Sequence, residues 1–283
     1  PVTMLANGTY TLLASAGTCT ALTTVVVTIN PLPTPNIVSN SPVCIGTDIN
    51  LTGNGGTNYA WAGPNGFISA AQNPTISPST MQNSGTYTLV VTDANSCVNF
   101  TTTNVIVNAQ PIVSSSGSTV CENATANLSA SGGVTYSWSG PGGFTSGSQN
   151  PQIINVQFAA AGQYTVLVTD INTCTNTAVT NIIVNPAPIA NATGNNPCLN
   201  DNINLTATGG VTYSWSGPGG YSSNLQNPTI SPSTFNNSGN YIVTVTDVNG
   251  CIATANINVT VNPIPVPSIT SGPNTGCAPL CVQ

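Results

Sequence analysis

The sequence predicts an all-β protein built from tandem β-sandwiches, and three observations support this fold class. A unit of 77 residues repeats without insertion, as is typical of an array of like modules. Short runs of Val, Ile, Leu and Thr alternate with turn residues, and no window shows a capped apolar period of 3.6 residues. The landmarks that fix the period are Cys44, Cys121 and Cys198; Trp61, Trp138 and Trp215; and Tyr87, Tyr164 and Tyr241.

The first complete repeat shows how the strands are predicted. Its predicted strands cover 48–52, 58–62, 85–92 and 98–107. Turns are predicted over 54–56 and 63–66, and a hairpin loop over 93–96. The turns contain Asn-Gly-Gly and Gly-Pro-Asn-Gly, residues that favour tight backbone reversals. Strands this short, separated by turns at such intervals, indicate a sandwich of about seven strands per repeat.

Proline-rich segments divide the chain into its predicted domains. The expected boundaries are 1–31 for the C-terminal part of a repeat, 36–109, 112–186 and 189–263 for three complete repeats, and 268–283 for the start of a further domain. Proline fixes φ and favours extended geometry, so we expect these short linkers to be semi-rigid and to hold neighbouring domains in a line.

The charge of the chain excludes several classes of function. It has 283 residues and a net charge of −6, with six acidic residues and no Lys, Arg or His. Without cations, binding to nucleic acid or to an anionic lipid surface is not expected. General acid–base catalysis has few candidate groups, so we predict no enzymatic activity and no cofactor. No apolar run approaches the ~20 residues that span a bilayer, so no membrane insertion is expected in this segment.

Nine cysteines indicate a disulfide-bonded, extracellular protein. A zinc site is disfavoured because it needs clustered ligands. Pairs separated by 53 residues recur once per repeat and predict one disulfide within each domain, namely Cys44–Cys97, Cys121–Cys174 and Cys198–Cys251. The partner of Cys19 is expected before residue 1, and Cys277 and Cys281 are assigned to the following domain.

The repeats resemble immunoglobulin-like sandwiches. Each Trp lies where a strand-C tryptophan packs the core, and Asn83-Ser-Gly-Thr-Tyr87 is similar to the run that forms a tyrosine corner. The resemblance implies that Trp61, Trp138, Trp215, Tyr87, Tyr164 and Tyr241 are structural core residues.

The positions of the antibody inter-sheet disulfide are apolar here. They are occupied by Leu51, Leu128 and Leu205 on one strand and by Leu89, Val166 and Val243 on the other. The resemblance implies that the predicted disulfide instead joins the starts of strands B and G at one end of the sandwich. Closing a loop of ~50 residues would stabilise each domain by roughly 4 kcal/mol in the chain-entropy model.

One sequence motif within the repeat indicates a more specific family resemblance. The run Tyr-x-Val-x-Val-Thr-Asp-x-Asn-x-Cys at 241–251 is similar to Ig-like and PKD-like repeats of very large Bacteroidota surface proteins. Those include gliding-motility-type adhesins exported by the type IX system. The segment 276–283 looks like the opening of a PKD domain. The resemblance implies a cell-surface, non-enzymatic stalk that projects a binding tip and contacts mainly its own neighbouring repeats. The absence of Lys and Arg leaves such a stalk without sites for trypsin-like proteases.

The sequence contains two kinds of candidate site, and each has a structural alternative. Asp93, Asp170 and Asp247, each followed two residues later by Asn, are weak calcium candidates, but Asp-x-Asn is also ordinary turn chemistry and that interpretation is favoured. Phe67, Phe144 and Tyr221 follow Gly-Pro-x-Gly turns and could stack on a glycan. The favoured alternative has each ring folded back over the Trp at the edge of the core.

Two further functions stay open beside the stalk. The uncharged surface and the absence of Lys from the sheet edges would also suit a self-assembling filament or sheath, in which the repeats contact other copies of the chain. Polysaccharide-binding modules that recognise cell-surface glycans are the other alternative, and they would require an exposed aromatic platform.

Overall fold

Residues 6–268 are described by the computed structural model, and within them strands and short 3-10 turns are the only regular elements. The first two strands, β1 (Gly8–Ala16) and β2 (Cys19–Val27), form an antiparallel hairpin whose residues are all exposed. This hairpin falls in the predicted partial repeat 1–31. The further domain predicted over 268–283, with Cys277 and Cys281, lies outside the described residues apart from its first position.

Each of the next three units follows one plan. The first contains β3 (Asn36–Ser39), β4 (Val43–Cys44), β5 (Ile49–Asn54), β6 (Asn58–Ala62), β7 (Ile68–Ser69), β8 (Thr75–Ile76), β9 (Gly85–Thr92), β10 (Val98–Val105) and β11 (Val107–Asn108). The second contains β12 (Ser114–Ser116), β13 (Thr119–Cys121), β14 (Ala126–Asn127), β15 (Ser129–Ser131), β16 (Thr135–Gly140), β17 (Phe144–Ser146), β18 (Gln152–Ile153), β19 (Gly162–Thr169) and β20 (Thr175–Asn185). The third contains β21 (Asn191–Gly194), β22 (Ile203–Thr208), β23 (Thr212–Gly217), β24 (Tyr221–Ser223), β25 (Thr229–Ile230), β26 (Gly239–Thr246) and β27 (Ile252–Val259). The 3-10 turns are Pro64–Gly66, Met81–Asn83, Pro141–Gly143, Phe158–Ala160, Pro218–Gly220 and Phe235–Asn237.

Two sheets face each other in every unit, which makes the chain a tandem array of immunoglobulin-like sandwiches. In the first unit one sheet has the order β10-β9-β6-β7 and the other has the order β3-β5-β8. Strands β6 and β9 have the bounds that the sequence predicts. The predicted strand 98–107 is divided into β10 and β11, because Ile106 donates its N–H to the Ser41 side chain instead of continuing the ladder.

A separate hydrophobic cluster fills each sandwich. The three tryptophans are 1–3% exposed and the three corner tyrosines are fully buried. Trp61 on β6 lies opposite Leu89 on β9, and Leu51 comes from the facing sheet. Apolar side chains therefore occupy the positions where an antibody domain has its inter-sheet disulfide.

The tyrosines close a corner in every unit. The hydroxyl of Tyr87 donates to the carbonyl of Asn83 at 3.0 Å, and Tyr164 donates to Ala160 at 2.8 Å. Tyr241 repeats this bond with Asn237 at 2.9 Å. The hydrogen bond satisfies a buried hydroxyl and fixes the turn before the longest central strand of each unit.

Candidate functional site: the junction between repeats

Each sandwich has an exit pole, where the chain leaves for the next repeat. In the first unit the terminal strand β11 runs parallel to β4 and pairs Asn108 with Cys44. The second unit pairs Asn185 with Cys121, and the third pairs Asn262 with Cys198 in the same parallel manner. We call Cys44, Cys121 and Cys198 the exit cysteines, because each lies beside the last paired residue of its repeat.

The opposite end is the entrance pole, where the linker from the preceding repeat arrives. Asn176 donates its side-chain amide to the carbonyl of Pro111 in that linker at 3.0 Å. The loop between β19 and β20, which ends at Cys174, lies immediately before Asn176. We call the cysteines of these loops, Cys97, Cys174 and Cys251, the entrance cysteines.

Disulfides join an exit cysteine to the entrance cysteine of the next repeat. Cys44 is bonded to Cys174, and Cys121 is bonded to Cys251; in both pairs the Cα atoms are 5.5 Å apart. The predicted pairings Cys44–Cys97, Cys121–Cys174 and Cys198–Cys251 within repeats are therefore wrong. The bonds cross between repeats instead, and Cys97 and Cys198 are not bonded to any described residue.

The length of the sandwich explains this correction. Strand β9 contains eight residues and runs from the exit pole to the entrance pole. At about 3.4 Å per residue it spans roughly 27 Å, whereas a disulfide needs Cα atoms within about 7 Å. Cys44 and Cys97 lie at opposite ends of one sandwich, so they cannot bond. Across a linker of a few residues, Cys44 and Cys174 face each other.

A preformed loop presents every entrance cysteine. One carboxylate oxygen of Asp170 accepts the backbone N–H groups of Asn172 at 2.9 Å and of Cys174 at 2.8 Å. The backbone N–H of Asp170 also donates to the carbonyl of Cys174 at 2.9 Å. These bonds close a tight turn that fixes the direction of the cysteine.

The same bonds recur at the other two calcium candidates, Asp93 and Asp247. In all three loops the structure therefore shows the turn role of the aspartate. Across residues 6–268, no group of three or more His, Cys, Asp or Glu side chains is placed to hold a metal ion.

The residue before each entrance cysteine has a left-handed backbone conformation. The φ values are 64° at Ser96, 64° at Thr173 and 80° at Gly250. Glycine adopts this region without penalty, while a β-branched residue is strained there. The second repeat thus accepts strain at Thr173, directly beside its bonded cysteine.

Two of the three exit cysteines, Cys44 and Cys198, are supported by a serine, whereas Val156 occupies the equivalent position in the second repeat. The hydroxyl of Ser79 donates to the carbonyl of Cys44 at 3.2 Å, and Ser233 donates to the carbonyl of Cys198 at 3.0 Å. Both serines are almost fully buried. Sequence reasoning did not identify them, although their spacing from the exit cysteine, 35 residues in each case, carries the signal.

The candidate glycan-stacking rings fold back onto the core, where each forms an aromatic pair with a corner tyrosine. Phe67 meets Tyr87 edge-on with ring centroids 5.5 Å apart; the corresponding distances are 5.4 Å for Phe144 with Tyr164 and 5.6 Å for Tyr221 with Tyr241. Each of these outer rings is half-buried. Burial by such neighbours raises the pKa of Tyr87, Tyr164 and Tyr241, because the ionised phenolate would lose its hydration.

Among the described residues, no helix has the length and apolar character needed to cross a bilayer.

Comparisons with known proteins concern the fold. No protein-family profile matches the chain, and no curated protein matches it significantly in sequence. The titin I-band fragment I67–I69 is similar over 83% of this chain and 100% of its own, with 11% identity and a TM-score of 0.44. The three N-terminal domains of the outer capsid protein Hoc of bacteriophage RB49 cover 81% of this chain and 99% of their own, with 15% identity and a TM-score of 0.39. Immunoglobulin domains 1–5 of Sidekick-1 are similar over 93% of this chain and 68% of their own, with 12% identity and a TM-score of 0.32.

Proposed function

We propose that this chain is a stalk segment of an extracellular, cell-surface adhesin, in which each repeat is clamped to the next by a disulfide. The observation that carries the proposal is the pair of bonds Cys44–Cys174 and Cys121–Cys251 across linkers. Two repeats joined by both a linker and a disulfide have little freedom to bend or twist. Holding modules in a fixed relation is the property that a projecting rod requires.

The surroundings of each bond support the same role. At the first junction the main chain leaves Asn108, beside Cys44, and is held at Pro111 by Asn176, two residues after Cys174. The linker and the disulfide therefore run side by side as two short struts. Disulfides persist in oxidising compartments, which supports an extracellular location.

The composition suits an exposed position outside the cell. The chain has no Lys or Arg, so trypsin-like proteases find no cleavage site. We assign the boundaries 36–109, 112–186 and 189–263 to the three clamped domains. The resemblance to Bacteroidota gliding-type adhesins supports the cell surface as the location and is consistent with a stalk that projects an adhesive tip.

A filament is the second candidate, and one observation favours it. The last strands of the sandwiches display large apolar side chains to solvent, with Phe100 66% exposed, Val179 57% exposed and Ile252 63% exposed. These positions lie on the outer face of the same sheet in successive repeats and carry no charge. A second copy could cover them without electrostatic repulsion.

Electron microscopy of the native protein at low concentration separates the two candidates. A stalk gives single thin rods with beads in a nearly straight line, and a reductant broadens the distribution of angles between successive beads. As a matched control, the double variant Cys44→Ser/Cys174→Ser should hinge at one junction before any reductant is added. Ordered fibres with lateral contacts would contradict the stalk. Rods whose distribution of angles between beads does not change on reduction would contradict the role of the disulfides in fixing the junctions.

A further inference from the structure

Two cysteines that lack a bonded partner among the described residues have the complete local structure of a junction. Cys97 is an entrance cysteine, and its loop repeats the bonds of the loops at Cys174 and Cys251, both of which are bonded. The carboxylate of Asp93 accepts the N–H of Cys97 at 2.9 Å, and the N–H of Asp93 donates to the carbonyl of Cys97 at 3.0 Å. The loop thus holds the geometry of a half-cystine in the absence of its bond.

Cys198 has the same local structure as the bonded exit cysteine Cys44. It pairs with Asn262 as Cys44 pairs with Asn108, and Ser233 supports its carbonyl as Ser79 supports that of Cys44. The next N–H donates to the carbonyl of Asn262 at 2.8 Å, as at the other exit poles. Cys97 and Cys198 are therefore of opposite type, since Cys97 lies at the entrance of the first complete repeat and Cys198 lies at the exit of the third.

We propose that Cys97 and Cys198 are half-cystines of two further junctions, each bonded in the native protein to a cysteine of the opposite type on an adjacent sandwich of the same kind. The bonded copies of both positions in this chain carry the inference. These two bonds could form in a stalk or in a filament. If Cys97 and Cys198 prove unbonded, the proposed stalk function is not affected, and if the protein is not a stalk, the proposed bonds are not affected.

The bond forms by thiol–disulfide exchange with an external disulfide, such as oxidised glutathione or a disulfide-bearing oxidoreductase. The thiolate of one cysteine attacks that disulfide and releases one thiolate from it. The thiolate of the opposite cysteine then attacks the mixed disulfide and releases the second thiolate. The two protein thiols lose two protons and two electrons, and the electrons reduce the oxidant to two thiols.

Peptide mapping of the native protein tests the proposal directly. Because the chain lacks Lys and Arg, digestion uses pepsin, whose acidic conditions also suppress disulfide exchange. We expect the Cys97 peptide to be bonded to an exit cysteine, and its partner identifies the source: a flanking repeat of the same polypeptide, or Cys198 of a second copy. A Cys97 found as a thiol, capped by a small thiol, or bonded to another entrance cysteine overturns the proposal.

A second experiment asks whether the two poles recognise each other. The full 283-residue chain with Cys19→Ser, Cys277→Ser and Cys281→Ser is incubated with a mixture of reduced and oxidised glutathione. We expect multimers on a non-reducing gel that reduction returns to single chains. Cys97–Cys198 bonds should exceed Cys97–Cys97 and Cys198–Cys198 bonds by roughly tenfold, equivalent to a preference of about 1.4 kcal/mol.

The same background with Cys198→Ser added is the matched control. It should stop at single chains or sparse dimers, because only one type of pole remains. Bonds of like and unlike type in random proportions, or thiols capped by glutathione without multimers, would overturn the proposal.

Discussion

Cys44 and Cys174 are separated by 130 residues along the chain, and their Cα atoms lie 5.5 Å apart across the linker between two repeats. The bond runs beside the main chain and gives each junction a second covalent connection. A change in the angle between two sandwiches must therefore strain a closed ring instead of turning a single flexible segment. The orientation of each repeat depends on its neighbour as well as on its own core.

The carboxylate of Asp170 should control how readily the first junction closes. Asp170→Ala removes the acceptor for two backbone N–H groups and should weaken the loop by about 1–3 kcal/mol. In a glutathione buffer, the equilibrium constant for forming the Cys44–Cys174 bond should fall by roughly 5-fold to 150-fold. Asp170→Asn keeps an acceptor oxygen and should change little. The intact junction Cys121–Cys251 is an internal reference, and an equal loss at both junctions would refute the assignment.

Replacing the strained residue before Cys174 should stabilise the folded protein. Thr173 has a φ of 64°, and the equivalent position in the third repeat is Gly250. Thr173→Gly should stabilise the loop by up to about 1 kcal/mol, because glycine adopts this conformation freely. Gly250→Thr should destabilise the third repeat by a similar amount. The check is the midpoint of urea unfolding with the disulfides intact; two changes of the same sign would contradict the strain argument.

The free energy of unfolding should be constant near neutral pH and should decrease at alkaline pH. Burial raises the pKa of the corner tyrosines in the folded protein, so the fold favours their neutral form. Their contribution is complete below the unfolded value of about 10 and is lost as the pH rises through the folded pKa. With all thiols blocked, the urea midpoint should be constant from about pH 6 to about pH 9 and should decrease above about pH 10.

Tyr164→Phe is the control for this pH dependence. The variant loses the 2.8 Å bond to Ala160, which should cost about 1 kcal/mol at pH 7. Its second repeat should lose less additional stability in alkali than the other two. An unchanged alkaline decrease in that repeat would show that another group is responsible.

The corner tyrosine also explains a glycine in the preceding turn. A Cβ atom on Gly140 would lie 2.3 Å from the ring of Tyr164, whereas one on Gly147 would meet nothing closer than 3.8 Å. Gly140→Ala should destabilise the second repeat by about 1–3 kcal/mol, and Gly147→Ala should be nearly neutral. Calorimetry resolves the change against the two unaltered repeats. Equal effects of the two substitutions would contradict the packing argument.

Much of each sandwich could be predicted from the sequence, because its longest elements carry strong periodic signals. The alternation of Tyr87, Leu89 and Val91 marks the buried face of β9, and all three side chains are fully buried. The tyrosine corner has a local signature, so its hydrogen bond could be expected. The aspartate loops could also be predicted, because the aspartate side chain bonds to backbone N–H groups within the same five residues.

The disulfide pairing could not be obtained in this way, because a tandem repeat leaves it ambiguous. A separation of 53 residues within a repeat and one of 130 residues across repeats fit the same periodic pattern of cysteines. Only the topology resolves the choice, through the parallel pairing of β4 with β11. Each of these strands has two residues, too few to show any alternation of apolar and polar side chains.

The bonds between repeats also determine how far the chain could be stretched. Without them, about 227 peptide units separate residues 36 and 263; with them, the shortest covalent route runs from 36 to 44, crosses to 174, returns to 121, crosses to 251 and ends at 263, about 73 units. At about 3.5 Å per residue, the maximal contour falls from roughly 790 Å to roughly 260 Å. A single sandwich that unfolds under tension between folded neighbours would release little length, because the disulfides and the short linkers bypass most of its residues. The segment would therefore extend much less under a pull than an array without these bonds.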